Sequence, residues 1–257
     1  MALVALGAAT LAAVPAAARD NEPWRYRLSA GVQVKPQYPG GDDLSVLPMF
    51  DVDRARGDTP FEFEPADDSF GFSVLKAGGF EFGPAVSLVG RRKPKYVGVD
   101  VPRVGRTVEV GAFANYWVNE NFRLHSELRR GVNGHDGWVA DGGADLVLRD
   151  GDDWLFSIGP RVKWADGNFH DAYFGITPAT ALATGLPVYD AGSGIESYGV
   201  NAGADLSVTR HWGISLYAKY DRLTGDAANS PLVLRYGSRN QFYSGIALSY
   251  TFGGGLD

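Results

Sequence analysis

Apolar and polar residues alternate along this chain in one long stretch after another, and that alternation limits the fold more than any other feature. From Arg25 to Lys35, Tyr26, Leu28, Ala30, Val32 and Val34 fall on one face, and Arg25, Arg27, Ser29, Gln33 and Lys35 on the other. A period of two over this length is a β-strand with one apolar and one polar side. Thr107–Val118 repeats the pattern with Val108, Val110, Ala112, Ala114, Tyr116 and Val118. Trp154–Trp164, Tyr198–Val208, the run from Trp212 to Tyr220 and the run from Phe242 to Phe252 do the same. Such runs match the ~9–11 residues by which a tilted strand crosses a bilayer.

A soluble sandwich is the competing all-β fold. Its strands are shorter, ~5–6 residues, and its large side chains point inward. Here the second face carries Gly, Ser, Asn and charges, so it lines something polar and leaves the apolar face outside. In water that outer band would be an aggregation hazard. Rings also collect beside short turns: Tyr116 and Phe122 around Asn119-Glu120-Asn121, Trp154 after Asp150–Asp153, Trp212 after Arg210-His211, and Tyr250 and Phe252 at the end of the last strand. That placement fits an interfacial aromatic girdle.

The connections give the strand count. Short turns are read at Arg54–Thr59, Ala77–Gly79, Asn119–Asn121, Asp150–Asp153 and Thr209–His211. Long ones are read at Pro36–Asp43, Arg92–Arg106, Val132–Gly137, Asp166–Gly194 and Thr224–Arg239. Barrels of the bacterial outer membrane keep short turns on the periplasmic side and long loops outside. Alternating the two kinds requires a further external connection at Pro65–Ser69. The expectation is an all-β, antiparallel, up-and-down transmembrane barrel of about 12 strands with both termini periplasmic; ten strands is the alternative count, through the Phe61–Phe72 region. Thr177 before Pro178 starts a short helix inside the Asp166–Gly194 loop.

Residues 1–18 form an apolar run ending in the A-x-A pattern of Ala16, Ala17 and Ala18, read as a signal peptide that leaves 19–257 as the barrel. The basic stretch that usually precedes such a run is missing, which places the expected start of translation upstream. The chain has no Cys, so disulfides, thiolate metal sites and a Cys nucleophile are excluded, and its net charge of −6 argues against nucleic acid as a partner.

The second half carries Tyr173-Phe174-Gly175-Ile176-Thr177-Pro178, Gly185-Leu186-Pro187-Val188-Tyr189-Asp190-Ala191-Gly192, Tyr220-Asp221-Arg222-Leu223, Gly225-Asp226-Ala227-Ala228 and Ser238-Arg239-Asn240-Gln241-Phe242. With Gly71–Leu75 and Gly83-Pro84-Ala85 upstream, these pieces closely resemble the MipA/OmpV family of Gram-negative outer-membrane proteins. One departure is the end of the chain, where Gly253–Asp257 follow Phe252 and leave the terminal aromatic assembly signal slightly internal. The resemblance implies location in the outer membrane of a Gram-negative bacterium, contact with its lipid and lipopolysaccharide, and a scaffolding role in murein synthesis that tethers a lytic transglycosylase and a bifunctional murein synthase. Other members are surface antigens, and a surface antigen or adhesin, or a narrow solute channel, is the alternative function. The family brings no cofactor and no catalytic residues.

The residues agree that this is not an enzyme. His135-Asp136 and His170-Asp171 read as solvated loop dipeptides, with no nucleophile at hydrogen-bond spacing. Asp150-Gly151-Asp152-Asp153 reads as a solvated turn, since its spacing is not that of a calcium loop. Arg91, Arg92, Lys93, Lys95, Arg103 and Arg106 form a basic cluster in a long loop, suited to lipopolysaccharide phosphates. Glu109, Arg123, Glu127, Arg129, Asp145, Arg161 and Lys163 come from consecutive strands and should all point into the lumen. There, opposite charges can pair across the ladder and plug a barrel of this size.

Overall fold

A computed structural model of the protein describes residues 22–254; the segment read as a signal peptide lies outside the described residues. Ten long strands dominate: β1 (Trp24–Pro36), β2 (Leu44–Arg56), β5 (Phe80–Val89), β6 (Thr107–Asn119), β7 (Phe122–Val132), β8 (Trp138–Asp150), β9 (Trp154–Ala165), β10 (Gly194–Ser207), β11 (Trp212–Leu223) and β12 (Asn240–Gly253). Two short strands, β3 (Phe70–Gly71) and β4 (Leu75–Ala77), bring the total to twelve. All are antiparallel in one curled sheet of order β2-β1-β12-β11-β10-β9-β8-β7-β6-β5-β3, with β4 also beside β5. The first and last long strands pair over most of their length, from Arg25↔Gly253 to Val34↔Ser244. The predicted fold class and strand number are therefore observed.

The alternation read from the sequence is the alternation of burial. In β7 every second residue is buried, with Arg123, His125, Glu127 and Arg129 inward and Leu124 and Leu128 exposed. Leu28, Val110, Leu216 and Ile246 likewise stand on the outer face. Only a lipid environment makes such a surface stable, because water would penalise every exposed apolar side chain. Val110→Arg or Leu216→Arg is expected to cost ~2–4 kcal/mol of stability in bilayers, the penalty for Arg near the midplane. Heat-modifiable gel mobility reads the loss, and unchanged assembly of both variants would reject the register.

Rings ring the short-turn end. Tyr26 stacks on Phe252 at 5.8 Å, and Phe80 meets Tyr116 at 4.3 Å and Trp212 meets Tyr250 at 4.8 Å, both tilted. Phe122 and Trp154 lie on the same outer rim. A second set at the loop end escaped the sequence reading: Trp138, Tyr198 and Phe242, with Tyr220 at 5.0 Å from Phe242. Phe242 and Phe252 are ten residues apart on β12, ~33 Å along the strand. A tilt of ~40° reduces this to ~25 Å, the height of the apolar band of an outer-membrane barrel.

The loop end is closed by a small packed cap. Its helices are α1 (Pro94–Val97), α2 (Gly167–Phe174), α3 (Pro178–Thr184), α4 (Gly225–Asn229) and α5 (Pro231–Tyr236). Asp166 caps α2 by accepting from the Phe169 N–H at 3.0 Å, and Thr177 caps α3 by accepting from the Thr180 N–H at 3.2 Å, so the helix predicted at Thr177 forms. Phe169, Tyr173, Phe174, Ile176, Val101, Leu232 and Val233 make its core, seated on Val139, Ala165 and Leu223 at the inner ends of β8, β9 and β11. Burial pushes the phenols of Tyr173 and Tyr38 up to about 12, so both stay neutral and act as packing groups.

One connection departs from the sequence reading. The chain does not turn at Arg54–Thr59 into another strand, and Pro65–Ser69 is not an external loop. Residues 57–69 instead enter the barrel and run inside it until the chain joins the wall at β3. Pro60 and Pro65 explain why this stretch is not a strand, since neither can donate to a ladder.

Candidate functional site

The internal segment, here called the strap, meets a wall built to receive it. At the short-turn end, Asp152 is the fastening point. Its carboxylate accepts from Arg25 at 3.0 Å, from Arg149 at 3.1 Å and from the Phe61 N–H at 2.9 Å. Arg25 and Arg149 also donate to the carbonyls of Thr59 and Phe61, at 2.8 and 2.9 Å. The guanidinium groups of Arg25 and Arg27 cover the Phe61 ring at 5.0 and 4.5 Å. Gly151, at φ +53°, makes the tight turn that presents Asp152 inward. The Asp150–Asp153 stretch is thus an exposed turn, as expected, except at Asp152, which is half-buried and anchors the strap.

Higher in the lumen the strap inserts two carboxylates between wall arginines. Asp67 takes a bidentate bond from Arg161 at 2.8 and 3.1 Å and lies 3.3 Å from the Lys219 ammonium. Asp68 accepts from Arg123 at 2.9 Å. Ser69 donates its N–H and hydroxyl to the two Glu127 oxygens at 3.0 and 2.5 Å. Behind these, Asp145 holds Arg123 at 3.0 Å and Arg161 at 2.7 Å. Arg123 and Asp145 are each 1 % exposed. Bidentate geometry in so dry a site is the strong form of an ion pair, and all partners must be present together. Gly143 leaves the space for this, because a β-carbon there would sit 2.9 Å from the Arg161 side chain.

A second cluster lies toward the cap. Arg129 donates to Glu109 at 2.9 Å and to Asp141 at 2.5 Å, and also pairs with Glu127. Lys163 pairs with Glu196 at 2.8 Å, under the Phe169 ring. The structure thus turns all seven predicted lumen residues inward: Glu109, Arg123, Glu127, Arg129, Asp145, Arg161 and Lys163. It adds Asp67, Asp68, Asp141, Glu196 and Lys219, which the sequence reading missed. Among the described residues Glu127 and Arg161 share no bond; the strap and Asp145 stand between their roles.

The histidines are also structural. His135 is buried, with Nε2 3.1 Å from Glu109 and Nδ1 accepting from the Gly137 N–H at 3.1 Å. His170 is buried in the cap, with Nδ1 2.5 Å from the Gly192 carbonyl. Both depart from the expectation of solvated loop dipeptides, because the cap packs over them. In the basic cluster, Lys95, Arg103 and Arg106 are exposed and Arg91 and Lys93 half-buried. Arg92 is the exception. It is 2 % exposed, and its guanidinium donates to the Tyr173 and Pro102 carbonyls at 2.7 and 2.9 Å, so it holds α2 against the preceding loop and offers nothing to lipopolysaccharide.

Beside the strap, on the β1 and β2 side, a cavity of about 490 Å³ remains. Arg27, Lys35, Met49, Asp51 and Tyr217 are among its lining residues.

Comparison with solved structures returns outer-membrane proteins at low identity. The KdgM porin is 9 % identical with a TM-score of 0.38, covering 90 % of this chain and 99 % of that one. The outer-membrane channel COG4313 from Pseudomonas putida F1 is 11 % identical with a TM-score of 0.41, covering 90 % and 95 %. The NanC porin is 8 % identical with a TM-score of 0.39, covering 89 % and 98 %. The fold assignment stands on the strand register, independent of them. No curated protein matches the chain. The family described as MltA-interacting protein MipA matches residues 28–252. The chain belongs to this family and is a β-barrel of the Gram-negative outer membrane.

Proposed function

We propose that the chain is a non-enzymatic scaffold in murein assembly. It holds a lytic transglycosylase and a bifunctional murein synthase at the short-turn end of the barrel, which we orient toward the periplasm together with both chain ends. The carrying observation is the filled lumen. A strap fastened by Asp152, Asp67 and Asp68 on one side, and a cap over the other end, leave little for a conduit to conduct and put the exposed rim to use instead. The name of the family, an MltA-interacting protein, supports the same direction. The rim offers Asn119, Glu120, Asn121 and Asp150, all exposed, and Asp58–Pro60 at the foot of the strap. At the opposite end, Arg91, Lys93, Lys95, Arg103 and Arg106 face the lipopolysaccharide phosphates of the outer leaflet.

The test is retention of a purified lytic transglycosylase by the intact barrel in detergent. Glu120→Lys with Asp150→Lys, both on exposed turns, is expected to weaken retention about tenfold, ~1.4 kcal/mol, without changing heat-modifiable mobility. No retention by the wild-type barrel would overturn the scaffold reading.

A further inference from the structure

The barrel wall is not sealed everywhere. β2 and β3 are the two ends of the strand order, and among the described residues no ladder joins β2 to β3, β4 or β5. Below, the strap approaches β4 through the Glu62–Lys76 pair at 2.5 Å. Above, the cap converges on the gap, where Tyr173 donates to the Gly90 carbonyl at 3.4 Å. Between them lies an opening at membrane depth. Its lips are Phe50 on β2 and Phe70 and Leu88 on the other side, respectively 75, 80 and 72 % exposed, among the barest large apolar residues of the outer face. All three also line the cavity in the lumen, so that cavity opens sideways toward lipid. An unpaired sheet edge is not tolerated facing hydrocarbon; it occurs only where it borders a wet cavity or an occupant.

The lining of the cavity says what fits. Met49, Phe61, Phe63 and Ala247 give it apolar surface; the acidic group of Asp51, Asp53 and Glu64 also lines it, but deeper, since Asp51 and Asp53 pair with Ser29 and Arg27, two and four residues further from Lys35 than the Gly31 that faces Met49. Lys35 faces into it from the loop end of β1 and makes no ion pair among the described residues. Met49 pairs in register with Gly31, four residues before Lys35 on the same face of the strand, or ~13 Å along it. A cation near the level of the lipid headgroups, an apolar trough ~13 Å deeper, and a slot open to the bilayer together match one ligand chemistry. The volume lies within the ~300–1,000 Å³ usual for small-molecule sites. We propose that an anionic membrane amphiphile enters between β2 and β5, its acyl chain against Met49 and its phosphate or carboxylate on Lys35. This goes beyond the scaffold reading and does not depend on it.

The chain lacks Cys, so a single reporter can be placed cleanly. Bimane is attached at Met49→Cys inside the opening, at Val110→Cys on the outer face and at Leu182→Cys on the exposed cap. Each protein is reconstituted in vesicles of phosphatidylcholine, with or without phosphatidylglycerol brominated on its acyl chains, and separately with brominated phosphatidylcholine. Brominated oleate added to plain vesicles distinguishes a carboxylate from a phosphate head. Quenching at position 49 by the anionic lipid or the fatty acid is expected to approach that at 110 and to exceed that by brominated phosphatidylcholine several-fold. Lys35→Gln is expected to abolish the excess at 49 and leave 110 unchanged. Quenching at 49 as weak as at 182 would overturn the proposal, as would equal quenching by all three probes that ignores Lys35→Gln. Should Met49→Cys fail to assemble by gel mobility, Ser29→Cys, which lines the same cavity, takes its place.

Discussion

Arg123→Gln is expected to destabilise the barrel by about 3–5 kcal/mol, the usual result of stripping one partner from a buried ion pair. Arg123 is almost wholly buried between Asp145 and Asp68. Removing its charge leaves Asp68 without its main counter-ion and Asp145 with Arg161 alone, in a site that water hardly reaches, and that desolvation is the source of the loss. Arg123→Gln with Asp68→Asn should therefore be more stable than Arg123→Gln alone, since one orphaned charge goes with it. Guanidinium unfolding of the folded barrel in detergent measures both. Additive effects below ~1 kcal/mol each would place these groups among exposed pairs and mean a solvated lumen.

The strap offers the second large effect. Residues 57–69 have no regular secondary structure beyond isolated turns, yet Asp67 is held by Arg161 and Lys219, and Phe61 is clamped at both its N–H and its carbonyl. Their amides are expected to exchange far more slowly than those of an irregular surface segment, because exchange requires the strap to leave the wall. Asp67→Asn with Asp68→Asn is expected to speed exchange across residues 60–69 by about 100-fold, ~2.7 kcal/mol. Exchange in strands β10 and β12, which make no bond to Asp67 or Asp68 among the described residues, should change less. Fast exchange in the wild type would show a strap that is not fastened.

Much of this was legible in the sequence, and the parts that were not share a cause. Alternation fixes which residues of a strand face lipid, because a one-residue slip would expose Arg123 and bury Leu124. The seven inward charges, the aromatic rim at the short turns and the helix after Thr177 all follow from such local rules. The strap does not. Strand parity demanded a turn at Pro65–Ser69, and nothing local says that a segment folds inside a barrel. Two signals pointed that way: Pro60 and Pro65 are poor strand residues, and the predicted lumen set had three acids against four bases, while Glu62, Glu64, Asp67 and Asp68 stood nearby. His135 and His170 misled for the same reason. They sit beside aspartates in connections between strands, and only the cap buries them: Phe169 packs on His135 from 34 residues away, and His170 sits in α2 with Nδ1 at the Gly192 carbonyl. Arg92 stands among five other cations in a short span, and only its bonds to Tyr173 and Pro102 separate it from them.

Planar-bilayer conductance tests most directly the claim that the lumen is filled from within. The wild-type barrel should show no steady open channel. The variant Phe61→Ser, Asp67→Asn, Asp68→Asn keeps the chain length and removes the strap's ring anchor and the two carboxylates it sets between wall arginines. It should show discrete openings while retaining heat-modifiable mobility. A wild-type barrel that conducts steadily, with a conductance the triple substitution leaves unchanged, would contradict the account and make the protein an open channel.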